Sequence, residues 1–275
     1  MKNSHHLKYA WSLLKFWTFR TFPMWCLIAL MIFLVQIAVC GIVHDNDKVK
    51  VMLSMLDLLP SFIKTALGGD YLKAGNTAAL ITIGYKHPFV LFLYMFFAVS
   101  VPTGFLAGEV QKGTMELILS RQVSKMVVYV CTGIITITGM FALVMVMFLG
   151  TVASVHIYDF GKPIHLDMFF RIAIDGGLFA STTGTIALLC AAIFNSRNIA
   201  SGIAVTFLVI NYFISVISEW WPRAAFLKGA TLFNYVGGPE TVSGWPVKSM
   251  SVLAVILLIA VISGAIIWNR RDLSL

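Results

Sequence analysis

The stretch "AGEVQKGTMELILSRQVSK" (107–125) holds two acids, three bases, a Gly–Thr step and a short apolar run. It lies between two long apolar runs, 88–108 and 127–155. Read outward, four more runs reach the roughly 20 apolar residues that a helix rising about 1.5 Å per residue needs to cross a hydrocarbon core of about 30 Å. They are 21–43, 169–194, 199–218 and 247–268. The runs are continuous, whereas a membrane barrel is built from short alternating strands. Composition agrees: 59% of the 275 residues are hydrophobic and 12% are charged, against about 25% charged in ordinary soluble domains. The expectation is an all-α integral membrane protein with six transmembrane helices in a single domain, 1–275. The fourth and fifth spans are joined only by "NSRN" (195–198), which reads as a tight helical hairpin.

An even number of spans puts both termini on one side. With that side cytoplasmic, the inner segments are 1–20, 109–126, 195–198 and 269–275, which carry half of the 20 Lys and Arg on roughly a third of the non-membrane residues. Bases near span ends and in short loops set orientation, and Lys15, Arg20, Arg121, Lys125, Arg197, Arg270 and Arg271 occupy such places. The expected topology is N-in and C-in. The net charge of +8 is scattered along span ends with no basic stripe, which points away from nucleic acid and toward anionic membrane lipid.

Outside the spans, 5–20 is amphipathic, with Leu7, Trp11, Leu14, Phe16 and Trp17 near helical spacing among Lys8, Lys15 and Arg20. It reads as an N-terminal interfacial helix, and Pro23 is expected to start the first span at a new angle. The loop 44–87 is too long to be structureless; its apolar spacing up to Leu59, the break at Pro60 and the stop at "LGGD" read as one or two short helices on the outer face. In 219–246, "EWWPR" and "GWPVK" place tryptophans in an interface belt, and "LFNYVGGPE" reads as a short element ended by a turn. The four cysteines all fall in apolar runs and read as small core residues. "IAVC" (37–40) has a bulky Val39 where a lipoprotein cleavage site wants a small residue, so the first run reads as a retained span.

Chemistry is sparse. The single Gly–Lys pair, Gly161–Lys162, is followed by Pro163, so no phosphate-cradling P-loop is present. There is no zinc-type His-Glu-x-x-His helix and no Gly-x-Ser-x-Gly elbow. No catalytic, cofactor or metal residue is expected in this chain. Within the spans, Asp175 sits about two turns into the fourth run with Arg171 one turn before it, spaced to pair on one face. "TGIITITG" (132–139) and "GGLFASTTGTIA" (176–187) place small and hydroxyl residues three and four apart. That pattern serves either close helix packing or a polar route. Asp175, Thr182, Thr183 and Asn211 are the candidates for such a translocation path.

In the opening stretch, Glu109, Lys112 and Glu116 have the i+3 and i+4 spacing that braces a short helix, and Leu117, Ile118 and Leu119 supply an apolar face. Here the residues carry a resemblance. Glu109, Gly113, Thr114, Glu116, Ser120, Arg121, Val123 and Ser124 fit the loop of ABC-2 type transporter permeases, which commonly reads Glu–x–x–x–Gly–Thr, a hydrophobic stretch, then Ser–x–Pro–Val–Ser–Arg. Gln122 stands where Pro is usual and Lys125 where Arg is usual. The layout of the whole chain is similar as well, and "LLPSFIKTALGGD" (58–70) looks like the first outer loop of a bacterial subgroup.

The resemblance implies a permease subunit, itself not an enzyme, in a bacterial inner membrane. It implies a homodimer served by two copies of a separate ATP-binding subunit, which holds the ATP and Mg. Residues 109–125 would then be the cytoplasmic coupling helix between spans two and three. Glu109 and Glu116 would be its anchors, Gly113 would be kept small for close approach, and Lys112, Thr114, Ser120 and Arg121 would lie beside them. Arg197 in the hairpin would be a second contact. Export is the expected direction. Two alternatives stay open: a membrane enzyme acting on lipid head groups, and a non-transporting scaffold or sensor that uses the same ATPase contact.

Overall fold

A computed structural model describes residues 2–58, 60, 63, 77–121, 123–161, 163–236, 241 and 244–272. Its helices are α1 (Lys2–Val43), α2 (Asn46–Asp57), α3 (Thr77–Lys86), α4 (Pro88–Phe105), α5 (Ala107–Gln111) and α6 (Thr114–Leu119). They continue as α7 (Lys125–Ile157), α8 (Leu166–Ile193), α9 (Arg197–Trp220) and α10 (Val247–Arg270). Two 3-10 segments, Pro222–Ala230 and Leu232–Tyr235, lie between α9 and α10. No strand occurs among the described residues. Six of the long helical stretches are apolar enough to cross a membrane: those of α1, α3 with α4, α7, α8, α9 and α10. This is an all-helical, multi-pass membrane architecture.

The bundle is built around α8. Of its apolar stretch 72% is buried inside the protein, against 28% for α9 and 17% for α10. The exposed faces of those two helices carry Phe207, Ile210, Phe213, Leu258 and Ile262. In lipid such faces meet a solvent as apolar as themselves, so burial of apolar surface cannot drive helix association and close packing must. The glycines and hydroxyls of 132–139 and 176–187 supply it. Gly184 lies against Thr136 and Gly177 against the Phe141 ring, and Ser181 Oγ donates to the Ile137 carbonyl across the α7–α8 contact at 3.2 Å.

Several sequence expectations are corrected. Pro23 does not divide two elements; it lies inside a continuous α1 of 42 residues. An internal proline costs about 3 kcal/mol, and here packing on both sides outweighs it. Trp17 stacks on Phe105 with ring centroids 4.4 Å apart, and Trp25 Nε1 donates to the Gly139 carbonyl at 3.0 Å. At about 1.5 Å per residue α1 is roughly twice as long as a bilayer core is thick, so its first half reaches beyond the span.

The segment between the first two apolar helical stretches is shorter than expected. The helix anticipated up to Leu59 forms as α2 and stops at Asp57, but α3 belongs to the bundle, with Leu80, Ile81, Thr82, Gly84 and Tyr85 buried. The stop expected at "LGGD" (67–70) and the turn expected at 237–240 lie outside the described residues. The second span ends at Phe105 rather than 108, because α5 starts a new helical segment at Ala107 after Leu106.

Candidate functional site

The segment 106–125 folds as two short helices and a connection, not one helix. The break is Gly113, whose φ of 71° is left-handed, a conformation that costs other L-residues about 1–2 kcal/mol. Nothing lies within 4 Å of where its Cβ would be. The expectation that Gly113 is small for close approach is therefore corrected within this chain: it is a glycine because the backbone turns there. The turn also takes Lys112 and Glu116 off a common helix, so their i+4 spacing braces nothing. Leu117, expected on an apolar face, is 67% exposed, while Met115 on α6 is 2% exposed and makes the inward contact. Ser124 caps α7, its side chain accepting from the Val127 N–H.

Glu109 is the centre of this joint. It is 6% exposed and so does not offer its carboxylate to a partner, as the sequence reading expected. Arg20 Nη1 of α1 donates to Glu109 Oε1 at 2.8 Å. Thr114 Oγ1 donates to Oε2 of the same carboxylate and reaches the Glu109 carbonyl at 3.2 Å. Burial alone pushes this carboxyl up. The hydrogen bonds from Thr114 and Arg20, with the charges of Arg20 and Lys112, outweigh that and hold it below the ordinary carboxylate range. Arg20 itself lies over the Phe105 ring at 5.6 Å. One acid thus ties α1, α5 and α6 to the end of the second span.

The neighbouring elements converge on the same end of the bundle. The Arg197 backbone N–H donates to Gln111 Oε1 at 2.8 Å, and the Arg197 side chain packs where a Cβ on Gly108 would sit, its Cδ 3.4 Å away. Lys125 Nζ donates to the Arg271 carbonyl at 2.9 Å, Arg271 Nη1 to the Ala192 carbonyl at 2.9 Å, and Trp268 Nε1 to the Lys125 carbonyl at 2.9 Å. Lys112, Gly113, Glu116, Ser120, Arg121 and Arg197 are all exposed on this end. The structure thus gathers every residue of the expected coupling set into one region, with Glu109 and Thr114 turned inward, Arg197 packed along Gly108, and the other five outward.

The proposed path residues lie inside the bundle. Asp175 and Thr182 are fully buried, and Thr183 and Asn211 nearly so. Thr182 Oγ1 donates to the Leu178 carbonyl at 2.8 Å and approaches the Leu253 carbonyl of α10 at 3.3 Å. Asn211 Oδ1 accepts from the Leu232 N–H at 2.8 Å and fixes the 3-10 segment Leu232–Tyr235. Thr183 lines a cavity of about 250 Å³ whose other walls include Leu91, Met95, Phe179, Leu208 and Phe233, an apolar space. Arg171 Nη1 pairs with Asp167 at 2.9 Å, and its Nε donates to the Thr241 carbonyl at 3.2 Å.

The sequence reading passed over Gln36, the one amide inside the first span. It is fully buried; its Nε2 donates to Thr151 Oγ1 at 2.9 Å, which in turn bonds the Tyr85 hydroxyl at 2.8 Å. Gly84 and Gly150 leave room for it on two sides. A glutamine in an apolar run was the available signal, because an amide in hydrocarbon needs partners on other helices.

No family model matches this chain, and no solved structure matches it. An alignment 201 residues long, which covers 65% of the chain, shows 23% identity to "Uncharacterized protein YhcI" of Bacillus subtilis (strain 168). The matched stretch spans 64% of that protein's length.

Proposed function

We propose that this chain is the permease subunit of an ATP-binding-cassette transporter of the ABC-2 type, an exporter working as a homodimer with two copies of a separate ATP-hydrolysing subunit. The observation that carries the reading is the joint at Glu109. A buried acid locks the α5–α6 segment to α1 and to the end of the second span, while Lys112, Glu116, Ser120 and Arg121 face outward beside Arg197. A partner that pushes on α6 moves two spans and the first helix together. In this reading the joint faces the cytoplasm of a bacterial inner membrane with both termini inside, 109–121 is the coupling segment, and the first half of α1 is the interfacial helix. Glu116 is the outward anchor, and Glu109 acts as a positioning residue behind it.

The reading fits what the sequence lacks. With no phosphate-cradling loop, ATP and Mg belong to the partner. A charge-assisted contact contributes about 1.5–3 kcal/mol, so reversing Glu116 should weaken coupling roughly ten- to hundredfold. The test is to reconstitute the full chain with a candidate ATP-binding-cassette subunit, then measure ATPase capture and transport per ATP. Glu116→Lys should leave the chain inserted and dimeric but abolish capture or uncouple the two activities. Normal capture and transport in that variant, or ATP hydrolysis by the chain alone, would sink the reading.

A further inference from the structure

Beside the joint, between the first half of α1 and α6, runs a groove of about 540 Å³, within the usual range of about 300–1,000 Å³ for small-molecule sites. Its walls are mainly apolar, with Leu13, Phe16 and Trp17 on one side and Leu117 and Ile118 on the other. Three charged residues, Arg20, Glu109 and Arg121, also line it. The two arginines differ in what they are free to bind. Arg20 is committed to Glu109 at 2.8 Å, whereas the exposed Arg121 side chain makes no hydrogen bond or ion pair among the described residues. The groove therefore presents an apolar wall with an unneutralised guanidinium at its edge. Its level in the membrane follows from its frame: it sits where α4 ends and α7 begins. Tyr9 and Trp11 are exposed along the same stretch of α1, and Tyr and Trp concentrate where acyl chains meet head groups.

We propose that this groove holds one anionic phospholipid, with its phosphate on Arg121 and its acyl chains against the α1 wall. A guanidinium is suited to phosphate because its planar donors can engage two oxygens at once. Charge complementarity selects this occupant: a zwitterionic lipid brings its own cation to the same arginine, and a purely apolar ligand leaves that arginine without a counter-ion. The lipid would bridge α1 and α6, the two elements that Glu109 also joins. The proposal rests on the membrane fold and not on the transporter reading, so either can fail alone.

The test is native mass spectrometry of the full chain released from nanodiscs containing equal phosphatidylglycerol and phosphatidylcholine. The wild type should retain phosphatidylglycerol about tenfold better, the lower end of what a charge-assisted contact supplies. Arg121→Gln should lose that preference. Arg223→Gln, an exposed arginine in the segment after α9, should keep it. Ile118→Trp fills the groove without changing charge and should remove the retained lipid, with a thermal melt confirming that each variant is folded. Equal retention of both lipids by the wild type overturns the proposal, as do matching losses in the two arginine variants or undiminished retention in Ile118→Trp. Displacement of the lipid by soluble glycerol phosphate would mean a free-anion site and overturns it too.

Discussion

Along α8, hydroxyls turn to their own helix. Ser181, Thr182, Thr183 and Thr185 each donate to a carbonyl three or four residues back. At the α5–α6 joint the polar groups reach elsewhere: Arg20 and Glu109 are 89 residues apart, and Lys125 and Arg271 are 146 apart. Environment explains the contrast. Inside hydrocarbon an unsatisfied hydroxyl is costly and the nearest acceptor is always the preceding turn, so local bonding is the safe solution and helices are joined by shape. At the span ends, water and head groups keep charged side chains affordable, so charge can join distant segments there. The lesson is that the joint is held largely by charge, whereas the spans combine close fit with neutral interhelical hydrogen bonds such as Gln36 to Thr151.

Breaking the joint should give the largest effect. Glu109→Ala removes charge-assisted contacts of about 1.5–3 kcal/mol, so amide exchange across α5 and α6 should rise roughly ten- to hundredfold while the spans keep their protection. Hydrogen-exchange mass spectrometry reads this; unchanged exchange would mean that the ion pair is incidental. Next is Gly113→Ala, expected to destabilise α6 by about 1–2 kcal/mol through the left-handed backbone alone. Asn tolerates that conformation better, so Gly113→Asn should cost less. The same exchange measurement with equal penalties for the two variants would show that size, not φ, requires the glycine.

Titration sharpens the comparison on the charge side. The Glu109 carboxyl is held below its ordinary value, so its contribution is complete above the unfolded pKa of about 4.3 and fades as pH falls through the lower folded value. The joint should therefore be insensitive to pH from neutrality down to about 5 and loosen only in stronger acid. Carboxyl carbon NMR, with the signal assigned by its absence in Glu109→Ala, should show a midpoint below about 4.3; a midpoint above it contradicts the arrangement. The smallest effect is expected inside the bundle. Thr182→Val removes a hydroxyl whose interhelical share is worth about 0.6 kcal/mol, a barely measurable shift in thermal melting. A large loss there would show that charge and fit are not divided as described.

Much of the fold was legible because a bilayer imposes length. A run such as 247–268 is long and apolar enough to cross a bilayer as a helix, and the structure gives the helix Val247–Arg270. The hairpin at "NSRN" was legible because four residues between two spans leave no other path. Pro23 was misread because the rule against internal proline is local, while Trp17 on Phe105 and Trp25 on Gly139 are contacts between distant residues. Helix α3 was misread as outer loop because "TAALITIGYK" is too short to announce itself as a span. At the site, the residue set was legible as a motif but its facing was not: whether Glu109 turns in or out depends on Arg20, which is far off in sequence.

What the sequence determined by itself was the number of helices long and apolar enough to cross a membrane and the concentration of charge at their ends, since both follow from the thickness and polarity of the membrane. What only the tertiary structure decided was which polar groups are used internally. Nothing around Glu109 or Gln36 in the chain says which way the side chain turns, yet each side chain finds a partner on another helix. Burying such a group is unfavourable unless its partners arrive, and the packing of the helices is what brings Arg20, Thr114 and Thr151 to them.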